Sequence, residues 1–195
     1  MGGNLACRLR YGGAVSDHPR ETIAAVVLAA GEGRRFGGPK QLHMVDGITM
    51  LERVLVAVER SGIATRLVVL GARAERIVAE VPMHGAVAVL SPRWADGQAA
   101  SLTAALETLP EEIDEALVVL GDGPWLDPRA IRRTAAGHGV RAADYGHGRS
   151  HPVVLPRACW AELPAAGDAP GRGLEATLID CSGLPEPGDV DYAAP

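Results

Sequence analysis

Lysine is almost absent from this chain: of its 19 basic residues only Lys40 is lysine, and the rest are arginine. A codon bias toward arginine explains the majority, and leaves Lys40 marking a place where a compact ammonium is needed and a planar guanidinium will not serve. Cysteine is scarce too. Cys7, Cys159 and Cys181 are odd in number and widely spaced, matching neither a disulfide framework nor a zinc site, so a reducing, cytoplasmic setting is expected. Excess positive charge is missing: the formal net charge is −5, which argues against a nucleic-acid partner held by bulk electrostatics. No apolar run approaches the roughly 18 residues of a membrane helix. The start carries Arg8 and Arg10 but no apolar core, so it does not read as a secretory signal.

What is present is one domain's worth of alternating pattern. Residues 1–22, with frequent glycine and proline and no periodicity, read as a flexible N-terminal extension, and residues 23–195 as a single domain. The run Ile23–Leu28 is uninterrupted apolar sequence of strand length, the kind that suits strands covered on both faces. Similar runs recur at Leu67–Leu70, Val87–Leu90 and Leu117–Leu120. Helical patterns separate them. Thr49 with Glu52 forms a capping box ahead of a stripe at Leu51, Val54, Leu55 and Val58. Ala74–Ala79 makes a shorter helix, and Leu102, Ala105, Leu106 and Leu109 repeat the stripe spacing. Asp127-Pro128 reads as an N-cap and first helical residue, opening a helix to about Ala136. The alternation predicts a three-layer, Rossmann-like α/β fold around an open, mostly parallel sheet. After Gly137 only Val153-Val154-Leu155 is strand-like, and an irregular lobe holding a second substrate is expected there.

The strongest local signal follows the first strand: Leu28-Ala29-Ala30-Gly31-Glu-Gly33-Arg-Arg35-Phe-Gly37-Gly38-Pro39-Lys40. Glycines let backbone N–H groups approach an anion closely, and consecutive N–H groups can form a phosphate nest. Arg35 and Lys40 add a forked donor and a point charge suited to triphosphate oxygens. Spacing excludes two common loops. A dinucleotide fingerprint would need glycine where Phe36 stands, and a P-loop would need Gly-Lys-Ser/Thr around Lys40. A glycine- and arginine-rich surface turn is the structural alternative.

Two acidic candidates and one loop complete the pattern. The fourth apolar run ends in Leu120-Gly121-Asp122-Gly123-Pro124, and ligands of open α/β sheets gather beyond the carboxyl ends of the strands. Asp122 is therefore a candidate Mg²⁺ ligand or, alternatively, a turn residue. Asp189-Val190-Asp191 is a second carboxylate pair, or a solvated tail. The segment Trp94-Ala-Asp-Gly97-Gln98-Ala-Ala-Ser101-Leu102 reads as a loop entering a helix, whose free N–H groups would face an anion or a base edge. Trp94 and Gln98 have packing and surface roles as the plainer alternative.

The motif L-A-A-G-x-G-x-R-x-G-x-x-K, from Leu28 to Lys40, resembles the opening signature of the GT-A-like nucleotidyltransferases. The resemblance implies the fold of nucleotide-diphospho-sugar transferases, with the loop wrapped around an NTP and Arg35 and Lys40 on its phosphates. L-G-D-x-P looks like that family's metal motif, which assigns Mg²⁺, or Mn²⁺ in its place, to Asp122 and a second metal role to Asp191. W-x-x-G-Q-x-x-S-L narrows the likeness to the molybdenum cofactor cytidylyltransferase branch. Ser150-His151-Pro152-Val153 resembles that branch's G-H-P-V strand, and Gly167-Asp168 with Gly171-Arg172 its G-D-x-G-A-R turn. The branch implies that Leu28, Ala29, Ala30, Gly31, Gly33, Gln98, Ser101 and Gly121 hold the nucleotide, CTP being favoured by Ala30. It implies His151 on a phosphorylated acceptor, molybdopterin, and a molybdoenzyme as downstream partner. A sugar- or polyol-phosphate nucleotidyltransferase and an inactive binding chaperone are the competing readings. The chain departs from the branch at Gly123 (usually Gln), Ser150 (usually Gly) and Tyr192-Ala-Ala-Pro195 (usually Thr-Pro-Glu-Asp).

Overall fold

The computed structural model describes residues 22–33 and 36–188. Strands β1 (Ile23–Leu28), β4 (Thr65–Leu70), β5 (Val87–Leu90) and β6 (Glu115–Leu120) form the parallel half of a seven-stranded sheet ordered β5-β4-β1-β6-β8-β7-β9. β8 (Arg149–Pro156) runs antiparallel to β6 and to β7 (Arg141–Asp144), and β9 (Thr177–Asp180) is parallel to β7. β8 is thus the one strand reversed in the sheet, whose architecture is the mostly parallel, three-layer fold expected. A small hairpin, β2 (Met44–Val45) with β3 (Ile48–Thr49), precedes the first helix.

Helix positions follow from caps and stripes. α1 (Met50–Ser61) starts at Thr49, whose hydroxyl accepts from Glu52 N–H at 3.3 Å, and ends at Gly62 in the left-handed region. α4 (Pro128–Ala135) begins with the Asp127 carboxylate accepting from Arg129 N–H at 2.7 Å. α2 (Ala74–Glu80) is short, as its sequence suggests. α1, α2 and α4 cover one face of the sheet, where Leu51, Val54, Leu55, Ile77 and Ile131 meet Ile23, Ala25 and Val27. α3 (Gln98–Leu106) and the turn of 3₁₀ helix Arg157–Glu162 cover the other, against Ala24, Val26 and Leu28. The two-residue alternation of β1 splits its apolar side chains between the two faces, so every one of its residues is buried.

Two expectations change. The chain after Gly137 is not an irregular lobe: β7, β8 and β9 extend the main sheet. Periodicity hid β7 because the strand opens on Arg141, a charge that belongs to the core. Arg141 is 1% exposed and makes a two-pronged pair with Glu115, at 3.0 and 2.8 Å. Its remaining donors meet the carbonyls of Thr134, Ala135 and Gly139. Cys159 is disulfide-bonded, whereas Cys181 is a free, buried thiol. The predicted extension 1–22 lies outside the described residues except for Thr22, whose carbonyl accepts from the N–H groups of Asp114 and Glu115. Among the described residues no helix is long and apolar enough to cross a membrane.

The buried pair makes a direct prediction. Arg141→Ala or Glu115→Ala leaves an uncompensated charge and destabilises the fold by about 3–5 kcal/mol. The double change Arg141→Met/Glu115→Leu costs less than either single one. Chemical denaturation of the three variants checks both statements, and equal losses in all three would refute them.

Candidate active site

A cavity of about 480 Å³ opens beyond the carboxyl ends of β1 and β6. Its floor is set by sheet register. Leu28 pairs with Leu120 across the parallel β1–β6 ladder, and Gly121 N–H continues it to the Leu28 carbonyl at 2.9 Å. The loop after β1 and the loop after β6 therefore leave the sheet side by side. Leu28, Ala29, Ala30, Gly31, Gly33, Lys40, Gln98, Ser101, Gly121 and Asp122 all line this one cavity. The two other residues expected at it, Arg35 and Asp191, lie outside the described residues.

The glycine-rich loop folds back on itself. Gly33 has φ +70° and faces the Gly38 carbonyl so closely that any side chain there would overlap it. Phe36 N–H closes the turn onto the Gly33 carbonyl at 2.9 Å, and the Phe36 ring meets His43 edge-on. Gln41, which motif spacing alone did not single out, holds the loop from beneath. It sits in a turn of 3₁₀ helix (Lys40–Leu42) that opens after Pro39. Its buried amide donates to the Ala29 carbonyl at 2.7 Å and to the Gly31 carbonyl at 2.8 Å, leaving its own oxygen unpaired. The clue in sequence was a polar residue lodged between the loop and apolar Leu42. The Ala29 N–H is spent on the Val69 carbonyl at 2.9 Å, so both main-chain polar groups of Ala29 are engaged.

Lys40 Nζ lies 3.1 Å from Asp122 Oδ2, joining the two loops across the cleft mouth. The Lys40 side chain is 13% exposed and that of Asp122 is 37% exposed, so the pair is screened from water on one side only. The aspartate loop is anchored from α1, where Arg53 Nε donates to the Pro124 carbonyl at 3.1 Å. Asp122 offers the cleft a carboxylate of the kind Mg²⁺ uses together with phosphate oxygens. No cluster of three or more His, Cys, Asp or Glu side chains arranged for a metal occurs among the described residues.

The middle segment enters the cleft differently from expectation. Trp94–Asp96 forms a 3₁₀ turn and α3 begins at Gln98. The first two N–H groups of the helix are not free, because the Gly167-Asp168 turn covers them. Asp168 Oδ1 accepts from Gln98 N–H at 3.4 Å and the Gly167 carbonyl from Ala99 N–H at 2.9 Å. Trp94, Gln98, Ser101 and Asp168 remain on the cleft wall. His151 lies outside this cavity and lines two neighbouring ones, of about 120 and 380 Å³. Burial, with the nearby positive Arg149, pushes its imidazole down to about 4 from an ordinary 6.5, so it is neutral at physiological pH. Tyr145, whose phenol burial holds protonated, donates to the His151 carbonyl at 3.3 Å.

A parallel sheet with a glycine-rich loop after its first strand, and a lysine and an aspartate facing each other across the cleft, defines a nucleotidyltransferase-type α/β domain. Residues 25–181 match the MobA-like NTP transferase domain, and the chain belongs to that family. Among curated proteins it is 36% identical over 178 residues to the bifunctional protein GlmU of Azorhizobium caulinodans, covering 88% of this chain and 37% of that one. The chain spans only 25–37% of the length of the first curated relatives it matches. Among solved structures it is similar to the Rv0371c homologue from Mycobacterium sp. strain JC1, with TM-score 0.76, 25% identity, and coverage of 89% of this chain and 92% of that one. It shares its fold with Mycobacterium tuberculosis Rv0371c in complex with manganese, with TM-score 0.68, 24% identity, and coverage of 84% and 90%.

Two predictions follow from this geometry. Gln41→Glu keeps the shape but replaces two donated hydrogen bonds with repulsion against two carbonyls. A stability loss of about 1–3 kcal/mol with weakened nucleotide binding is expected. Unchanged melting and unchanged nucleotide affinity would show that Gln41 does not order the loop. His151 binds a proton more weakly folded than unfolded, so its contribution to stability is complete above about pH 6.5 and is lost as pH falls toward 4. The stability of His151→Gln should fall less steeply over that window than that of wild type. Imidazole resonances of His151 should show no inflection between about pH 5 and 8.

Proposed function

We propose that this chain is a Mg²⁺-dependent nucleotidyltransferase that moves CMP from CTP onto the phosphate of an acceptor, molybdopterin, with release of pyrophosphate. The observation that carries the reading is the meeting of Lys40 and Asp122, 3.1 Å apart, at the mouth of a glycine-rich cleft. Lys40, as a compact cation beside the loop, suits the β- and γ-phosphates, and Arg35 is assigned with it by resemblance. Asp122, with Asp191 assigned by resemblance, would hold Mg²⁺, or Mn²⁺ in its place. When bound, that ion neutralises charge on the transferring phosphoryl group and the leaving pyrophosphate.

The chain's own part is positioning. An acceptor phosphate oxygen attacks the α-phosphorus in line, the bond to the β-phosphate oxygen breaks, and no protein nucleophile is required. Loop N–H groups and the Lys40 ammonium hold the triphosphate still, and the nucleoside lies toward Gln98 and Ser101. Ala30 in the Leu-Ala-Ala-Gly loop favours CTP, and the Gln98–Ser101 segment favours a pterin acceptor over a sugar or polyol phosphate. His151, neutral, serves as a hydrogen-bonding partner of the acceptor, and the product passes to a molybdoenzyme.

One observation supports a second reading. A β-carbon on Gly123 would lie 2.8 Å from Pro187 Cβ, so the segment at Pro187-Gly188 fills the space where the branch has a glutamine side chain. Trp125 N–H secures that segment by donating to the Pro187 carbonyl at 3.2 Å. A protein altered there would bind NTP or molybdopterin and hand it on without turnover.

Calorimetry of CTP, GTP, ATP and UTP with and without Mg²⁺, paired with pyrophosphate release in the presence of molybdopterin, separates these readings. Wild type should prefer CTP in a Mg²⁺-dependent way and release pyrophosphate. Asp122→Asn should lower turnover by at least about 100-fold. Lys40→Arg should also impair it despite the retained charge. Nucleotide binding without pyrophosphate release favours the carrier, and binding of no nucleotide sinks the transferase and leaves only a molybdopterin carrier.

A further inference from the structure

A small cavity of about 120 Å³ adjoins the nucleotide cleft, with Leu28 and Gln98 as shared wall. It is well below the roughly 300–1,000 Å³ of pockets that enclose whole ligands. Two guanidinium groups dominate its chemistry. Arg149, from the first residue of β8, and Arg172, from the loop after Gly171, both line it together with Ser150 and His151. The Arg149 guanidinium is fixed: Nη1 donates to the Leu174 carbonyl at 2.7 Å, and Nη2 would stand 3.3 Å from a β-carbon at Gly171.

Arg149 and Arg172 share one small cavity. Neither Arg149 nor Arg172 has a carboxylate partner among the described residues, and they repel one another. Burial and the Arg172 charge both disfavour the charged form of Arg149. His151, the titratable neighbour, is neutral and adds no compensating charge. Two like charges held together at a concave site, one of them partly desolvated, call for a shared anion.

We infer that Arg149 and Arg172 form an oxyanion-binding subsite, which holds a phosphate-class group of the acceptor. Planar, forked donors are suited to two-point recognition of such a group. The subsite lies across Gln98 from the main cleft. Ser150 and His151 connect it with the second cavity beside Gly123, so an acceptor lying along His151 reaches both the arginines and the aspartate loop. The oxyanion site stands on the arginine geometry alone; its assignment to the acceptor rests on the nucleotidyltransferase reading.

The test uses inorganic phosphate as probe, titrated at constant ionic strength into the full chain carrying ¹⁵N-labelled arginine. Signals of the Arg149 and Arg172 guanidinium groups are followed by NMR, first without nucleotide and then with saturating Mg²⁺ and a non-hydrolysable CTP analogue. Both signals should shift saturably in both titrations. Arg149→Gln and Arg172→Gln should each weaken phosphate binding about tenfold or more while leaving affinity for the CTP analogue unchanged. Arg172→Gln alters an exposed side chain with no hydrogen-bond partner among the described residues, so it keeps the test valid even where Arg149→Gln melts early. Phosphate that binds without moving these signals, or that binds both variants as well as wild type, overturns the subsite. Loss of analogue affinity in the variants overturns the assignment to the acceptor, because the arginines would then serve the nucleotide's own phosphates. Failure of the analogue to bind wild type sinks the transferase reading, and saturable phosphate shifts at the two arginines would still uphold the oxyanion site.

Discussion

The parallel pairing of β1 with β6 is the constraint on which the site depends. Leu28 and Leu120 end in register, and the Gly121 N–H bond to Leu28 carries the ladder one step past the strands. A parallel ladder places both carboxyl ends on the same edge of the sheet, which an antiparallel pair cannot do. Two loops far apart in sequence then emerge as neighbours, and Lys40 can reach Asp122 across 82 positions of chain. Neither residue needs a long arm or a strained backbone to do so. A one-residue slip between β1 and β6 would turn Leu28 and its alternates to the opposite face, so burial on both faces of β1 holds the register firmly.

The reversed strand β8 requires a different kind of support. Antiparallel pairing brings Pro156 opposite Glu115, and proline donates nothing to the ladder. Close to that point the core holds the Arg141–Glu115 pair. Arg141 stands on β7, one strand beyond β8, and spends its remaining donors on the chain leaving α4. The pair therefore ties β6, β7 and the end of α4 into one block. That block carries His151 and Arg149 on β8, so the cavities they line are braced by buried polar bonds, while the glycine-rich cleft is braced by apolar packing and backbone ladder.

Much of this was legible in the residues, for identifiable reasons. Four sheet strands announced themselves as continuous apolar runs, β1, β4 and β6 because they lie inside the sheet, while the edge strand β5 keeps the pattern although Val87 and Leu90 are exposed; α1 and α4 did so because Thr49 and Asp127 are caps with a simple chemistry. The glycine-rich loop and the aspartate motif were legible as local spacing, and the open α/β plan then required them to converge. Whatever depended on contacts between distant segments was not legible. β7 was missed because Arg141 reads as surface until Glu115 is set beside it. The α3 N-terminus was read as open because nothing local reveals that Gly167 and Asp168, about seventy residues later, fold back to occupy it. Gln41 escaped because its two partners are carbonyls, which the sequence does not distinguish from any others.

The two sides of the cleft also differ in what they are made of, and that difference bears on specificity. On the nucleotide side most of the lining after β1 is main chain exposed by alanine and glycine, with Lys40 as the one strongly basic side chain described there. A site built from backbone tolerates change where there is room for a side chain, since the N–H stays in place, whereas Gly33 and Gly121 leave none. The proposed acceptor side is lined by the side chains of Arg149, Ser150, His151 and Arg172, of which Arg149 also holds the Leu174 carbonyl. Gly123 shows how cheaply that side is reshaped: with no side chain there, Pro187 moves into the space and the cavity wall is redrawn. On the proposed reading, donor recognition is carried by the fold itself and acceptor recognition by a handful of replaceable side chains. A chain can then keep the loop, the lysine and the aspartate of its family while taking a different acceptor, and the departures at Gly123 and Ser150 fall on the side where such a change is made.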